Sequence, residues 1–261
     1  MASNPTPPKR NKGQHYVPRL HLAEFVGDSP RGMVWTYDKA TGAVRPSKPT
    51  ETGKEGNFYS IRQADGQYFD GMDQWLTEIE NKAVVGYRQL LAGTIPSGQI
   101  RMDFSTFVAT LYFRSPGMIR SVAEAHGQFI DIMSQKTIED PRSLKKFLDD
   151  YEAENGPLTP ERRQELVDGL GDRSKFVIEV DQQAGLRIIG AADKVQDILF
   201  NMHWTVLEAV EGFFISSDGP VVRMSPPETY SPVYGDGGFA NSKVEISLPL
   251  SPQKCLLITL R

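Results

Sequence analysis

Four side chains scattered through the chain have the makings of a hydrolytic site: His15, Glu80, Arg114 and Asp218. A histidine moves protons near neutral pH, and two carboxylates can hold a divalent ion or orient a water. An arginine binds the negative charge that develops on a phosphoester. Gln14, Tyr16 and Arg19 surround the histidine in Gln14-His15-Tyr16-Val17-Pro18-Arg19. Arg19 lies four residues past His15, so one helical turn would bring both to the same side, with Gln14 able to orient either by hydrogen bonding. Val17-Pro18 is a stiff step that would aim them. A divalent metal ion, if one is bound, is expected on Glu80, Asp218 and His15. Each residue also has a plain structural reading. His15 can be a surface or capping histidine, Glu80 and Arg114 a core ion pair, and Asp218 a turn residue before Gly219.

The elements must bring these residues together. Residues 72–92 have the pattern of an amphipathic helix whose Leu76, Ile79, Ala83, Tyr87, Leu90 and Leu91 share one face. Glu80 projects into the middle of that face, where an unpaired carboxylate would cost several kcal/mol. A second long helical stretch runs from Met102 to about Gln135, and Pro116 is expected to kink it just beyond Arg114. Shorter helices are expected at Leu20–Phe25, Ser143–Tyr151, Thr159–Leu170 and Leu186–Met202. Strand patterns occur at Met33–Asp38, Ala43–Arg45, Asn57–Ile61 and Lys175–Val180, then at Trp204–Ala209, Phe213–Ser217, Val221–Met224, Val244–Pro249 and Leu256–Leu260. The pattern predicts an α+β fold with central helices packed on a mainly antiparallel sheet built from N-terminal and C-terminal strands. Residues 1–13, with three prolines and three basic residues, read as a disordered arm, and residues 14–261 as a single domain. Ser225–Ser242, rich in Pro, Gly, Ser and Tyr, reads as a lid or a disordered loop.

Composition narrows the function classes. The 261 residues are 39% hydrophobic and 24% charged, a globular balance with enough chain for a substantial core. A net charge of −4 argues against a broad basic face that coats nucleic acid, while leaving room for a local basic pocket. No stretch approaches the ~18 apolar residues of a membrane helix, and no signal-peptide segment opens the chain. The single Cys255 has no intrachain partner, which fits a reducing, cytoplasmic setting. Arg120 and His126 have the Arg-x5-His spacing of helical ribonucleases of the HEPN type, a weak alternative because so short a match arises readily by chance. Gly235-Asp236-Gly237-Gly238 lacks the lysine of a phosphate loop, and Ser216 and Ser217 lack a nucleophile-elbow context.

Several blocks in order resemble one family. Gln14-His15-Tyr16-Val17-Pro18-Arg19, Val34-Trp35-Thr36-Tyr37-Asp38-Lys39, Asn57-Phe58-Tyr59, Ile79-Glu80 and Phe113-Arg114-Ser115-Pro116 are similar to the earlier blocks of the bacterial and phage domain-of-unknown-function 4238 proteins. Ser217-Asp218-Gly219-Pro220-Val221 and Leu248-Pro249-Leu250-Ser251-Pro252 are similar to its later ones. The resemblance covers roughly residues 14–260 and implies no activity. Gly219 stands where the family often carries Asn, a change expected to loosen the turn holding Asp218. The residue types lead to the expectation of a hydrolase of phosphoester bonds acting on nucleic acid or a nucleotide, through His15, Glu80, Arg114 and Asp218. The alternative is a non-catalytic binding or protein-interaction module in which Glu80 and Arg114 form a structural ion pair.

Overall fold

The computed structural model describes residues 13–27, 31–63, 67–69, 71–171, 180, 182–232 and 235–260. Residues 1–12 of the basic arm and nearly all of the strand expected at 175–180 lie outside these residues, while Gly13, read as the end of the arm, opens the first strand. Contacts divide the chain into two compact units, one of residues 1–119 with 186–261 and one of residues 120–185. The sequence shows no linker composition, and led to the expectation of one domain.

The first unit opens with β1 (Gly13–His15) and a short helix α1 (Arg19–Ala23). Two-stranded ribbons follow: β2 (Val34–Tyr37) with β3 (Val44–Ser47), β4 (Lys54–Gly56) back onto β1, and β5 (Ile61–Arg62) with β6 (Tyr68–Phe69). Helix α2 (Gly71–Leu91) buries Leu76, Ile79, Ala83, Tyr87 and Leu90, the stripe its sequence predicts. It stops where Gly93 turns at φ +79°, with the Thr94 amide donating to the Gln89 carbonyl. Helix α3 (Gly98–Phe113) is the central rod, with Phe104, Val108 and Leu111 fully buried. It approaches α2 at Gly86, where a Cβ would lie 3.1 Å from that of Phe104.

The kink expected at Pro116 is a full break. Helix α3 ends at Phe113 with Arg114 as its C-cap, and α4 (Pro116–Glu139) starts with Pro116 at its first position, where the missing amide costs nothing. The Ser115 hydroxyl donates to the carbonyl of Tyr112 at 3.1 Å and accepts from the amide of Met118 at 3.4 Å. Arg114 is thereby held at the C-terminal end of α3, whose last turns are largely buried.

The second unit ends within α7 (Gln182–Leu186), and a 3-10 turn and α8 (Ala192–Asn201) follow in the first unit. The C-terminal sheet is antiparallel in the order β7 (His203–Glu208), β10 (Lys254–Thr259), β9 (Glu245–Pro249), β8 (Val222–Met224). Trp204, Ile246, Leu248, Leu256 and Ile258 of this sheet join the α2, α3 and α8 side chains in the main core. The fold is therefore α+β and antiparallel, as expected, but the N-terminal strands do not enter the C-terminal sheet. They close on one another as ribbons, because strands of two to four residues with mostly exposed positions offer no apolar face to extend it. Two strand assignments are corrected. Asn57–Ser60 is a turn, set by Asn57 at φ +56°, and Phe213–Ser217 is irregular chain. Ser225–Ser242 is not featureless, since it carries 3-10 turns at Pro227–Thr229 and Gly238–Ala240.

In the second unit α5 (Pro141–Asn155) is capped by Asp140, whose carboxylate accepts from the Ser143 amide at 3.0 Å. Arg163 of α6 (Pro160–Gly171) reaches Asp149 and Glu152 of α5 at 3.0 and 3.5 Å. Among its described residues only Ala123 and Leu148 are buried and apolar, so the unit has a thin core.

Candidate functional site

The opening stretch is docked by backbone and amide bonds. His15 on β1 stands opposite Lys54 on β4, and the amides of Tyr16 and Val17 both donate to the Gly53 carbonyl, at 2.8 and 3.1 Å. Gly53 turns at φ +64°, and a Cβ there would lie 2.8 Å from Cβ of Val17. Only glycine fits that crossing. Gln14 is buried, and its side-chain oxygen accepts from the Tyr59 amide at 2.6 Å while its nitrogen donates to Ser60 Oγ at 3.3 Å. It clamps the 57–60 turn to β1 rather than orienting His15 or Arg19.

Arg114, 1% exposed, is the hinge pin of the arrangement. Its Nε donates to the Tyr16 carbonyl at 3.1 Å and its Nη1 to Glu80 Oε1 at 2.8 Å. Its Nη2 is buried without a partner, as is the Tyr59 hydroxyl. Burial pushes the Tyr59 phenol well above its ordinary pKa, with the Arg114 charge opposing. The pair that the helix pattern of α2 demanded is thus made across α2 and the end of α3, and it also grips the backbone one residue after His15. Tyr16 turns its ring onto Phe58, with centroids 5.5 Å apart.

Glu80 is a quarter exposed and opens onto a cleft of about 550 Å³. Arg19, Arg31, Lys48, Thr50 and Asn81 line the same cleft, so its rim is cationic. The ring of His15 lies against the backbone of Thr50, one of the residues lining the cleft. Burial is the main reason its pKa sits below the ordinary 6.5; the Thr50 carbonyl opposes, and the charges of Lys54 and Arg19 add to the lowering. His15 is therefore neutral at pH 7, and its Nε2 is buried with no partner. Asp218 stays apart. It is exposed on a turn closed by Ser217, whose hydroxyl donates to the Gly219 carbonyl at 3.0 Å, and it bonds to none of His15, Glu80 and Arg114. Gly219 itself passes Ser115, the residue after Arg114. The fold collects Gln14, His15, Tyr16, Arg19, Glu80 and Arg114 around one corner and leaves Asp218 outside it.

Sequence reasoning missed a second polar chain. His21 on α1 is fully buried, with Nδ1 2.8 Å from the Tyr87 hydroxyl and Nε2 2.7 Å from Ser216 Oγ. The Tyr87 proton goes to the Leu250 carbonyl at 2.9 Å, so Nδ1 must carry the imidazole proton and Nε2 accepts from Ser216. Burial, with the nearby Arg114 charge, drops the His21 pKa to about 3. So weak a base, backed by a phenol and a carbonyl instead of a carboxylate, is poorly suited to activate Ser216, and the chain reads as a brace between α1, α2 and the C-terminal loops. The signal was present: a histidine inside Leu20-His21-Leu22-Ala23, and Tyr87 seven residues past Glu80 on the same stripe.

Among the described residues no group of three or more His, Cys, Asp or Glu is placed to hold a metal, so His15, Glu80 and Asp218 do not form such a set. A cation entering the cleft would find Glu80 as its carboxylate ligand and would share the rest of its shell with water and ligand, the usual habit of Mg²⁺. In the second unit, Arg120 lines a cleft of about 540 Å³ with Glu124, Gln128 and Asp131, while His126 is exposed and does not line it.

Comparison with known proteins returns kinship without chemistry. The family model described as "Protein of unknown function (DUF4238)" matches residues 13–261. No curated protein and no solved structure matches the chain. Among the described residues no helix is long and apolar enough to cross a membrane.

Proposed function

We propose, for a chain that belongs to the DUF4238 family of unknown function, that the Arg19–Arg31–Lys48 cleft binds a phosphate-bearing ligand and hydrolyses its phosphoester bond. The observation that carries this reading is Glu80: a carboxylate held by a buried arginine, yet opening onto a cleft whose other charges are positive. Three cations fit a phosphoryl group, but a carboxylate among them repels it unless a divalent ion or a reacting water lies between. In this reading Arg19, Arg31 and Lys48 bind the phosphoryl oxygens and the charge that grows on them. Glu80 holds a water or a metal ion against the phosphorus, and neutral His15 takes the proton of the attacking water once its ring turns Nε2 towards the cleft. Asp218 has no assigned step.

A second reading is favoured by one observation. The free nitrogen of His15 is buried, so a ring that does not move binds no water from the cleft. The cleft would then bind its phosphate ligand without cleaving it. Purified protein, assayed with phosphomonoesters, phosphodiesters and nucleotides with Mg²⁺ or Mn²⁺, tests both. Hydrolysis that falls at least 100-fold in His15→Ala and Lys48→Ala, both still folded, supports the first. Saturable binding with no turnover selects the second, and neither binding nor turnover ends both.

A further inference from the structure

The ribbon β2–β3 rises from the cleft and carries two aromatic rings with nothing packed on them. Trp35 is 73% and Tyr37 66% exposed, although Val34 between the ribbon and the body is buried. Residues two apart on a strand point to one side, about 7 Å apart, so the rings form a row. Trp35 stands opposite Pro46 and Tyr37 opposite Val44, which adds no bulk that would cover them. At the foot of this row, Arg31 precedes β2 and Lys48 follows β3, and both line the cleft. Residues 31–48 hold four cations (Arg31, Lys39, Arg45 and Lys48) against the single anion Asp38, a balance of +3 in a chain of net charge −4. Asp38 is occupied in the hairpin turn, its carboxylate accepting from the amides of Ala40 and Thr41 at 2.9 and 3.1 Å.

We propose that this ribbon is a stacking platform for single-stranded nucleic acid, whose bases lie on Trp35 and Tyr37 while its backbone runs down into the Arg31–Lys48 cleft. The proposal rests on the phosphoester reading of that cleft and names its substrate class. Aromatic rings on a cationic track are how proteins hold single strands without reading sequence, since every base has a face to stack and every linkage a charge. A duplex hides its base faces and cannot use the row. Exposed tryptophan also suits a partner protein or a second copy, and the single strand is preferred because its repeating bases and phosphates match both the row of rings and the cations at its foot.

The test is fluorescence anisotropy of the full-length protein with a fluorescein-labelled 12-mer of thymidine, the matching uridine RNA, and a 12-bp duplex. Single strands should bind more tightly than the duplex, quench tryptophan emission, and lose at least about 10-fold in affinity in Trp35→Ala/Tyr37→Ala, because two stacking contacts are removed. Both substituted residues are exposed, so the melting temperature should stay within about 1 °C of wild type. Single-strand affinity unchanged in that variant overturns the platform. If Arg31→Ala/Lys48→Ala loses affinity while the aromatic variant does not, the cleft reading stands without the ribbon. The reverse pattern keeps the ribbon and ends the cleft reading. Self-association by light scattering that disappears in Trp35→Ala/Tyr37→Ala, with no single-strand binding, assigns the face to a second copy and overturns the proposal.

Discussion

Replacing Glu80 by glutamine removes one charge from the Glu80–Arg114 pair and almost no volume. Arg114 is 1% exposed and keeps only the Tyr16 carbonyl as a firm acceptor, because Nη2 already has no partner. Leaving a fully buried charge uncompensated costs about 3–5 kcal/mol. Glu80 is 25% exposed, so water reaches the substituted site, and the glutamine oxygen still accepts a hydrogen bond. Both soften the loss to about 2–3 kcal/mol, which for a chain of this size lowers the melting temperature by about 5–10 °C. Thermal unfolding followed by far-UV circular dichroism at pH 7 measures it. Adding Arg114→Met removes the stranded charge, so the double variant should be more stable than the sum of the single losses predicts, by at least about 1 kcal/mol. A Glu80→Gln protein that melts within 1 °C of wild type, or strictly additive single and double losses, refutes the argument that this pair holds the corner together.

Other perturbations read different parts of the same frame. Gly53→Ala forces a left-handed residue and pushes a methyl into Val17, so it should lower stability by at least about 1–2 kcal/mol in urea unfolding. A neutral result would show that the opening stretch is not seated as described. His21 keeps its proton off down to about pH 3 when folded, whereas the unfolded chain takes one up near 6.5. Its contribution is therefore fully present above pH 6.5 and is lost as pH falls towards 3, at about 1.4 kcal/mol per pH unit once below 6.5. Urea midpoints should drop accordingly between pH 6 and pH 5, less so in His21→Gln; equal slopes in the two proteins would contradict the buried neutral imidazole. Burial also pushes the Cys255 thiol up to about 11, so at pH 8 a disulfide reagent should modify it only on unfolding. Prompt modification of the native protein would show that β10 opens readily.

What could be read from residues alone followed from periodicity and from charge out of place. The α2 stripe gave the helix within a residue or two, and Glu80 on that stripe required a cation, which Arg114 supplies. The Ser115-Pro116 step marked where the helix must change direction, though not that Ser115 would cap both sides of a full break. Pairing partners were harder. The N-terminal strands carry the alternation of sheet residues, but only three-dimensional packing decides whether a short strand joins a distant sheet or folds back on its neighbour. Asn57 looked extended because Phe58, Tyr59 and Ile61 are strand formers, and its positive φ overrides them. Gln14 was misassigned for a similar reason. An amide beside a histidine suggests orientation of the ring, whereas the fold gives it the backbone of a turn 45 residues away. His21 needed the position of Ser216, which no local pattern encodes.

Calorimetric titration with a nucleoside diphosphate, run on wild type and on Arg31→Ala/Lys48→Ala, tests the cleft most directly. The account predicts saturable binding at one site in wild type and at least about 10-fold weaker binding in the variant, the loss expected when two of three phosphate-facing cations are gone. No binding heat in wild type, or equal affinity in the two proteins, would contradict it.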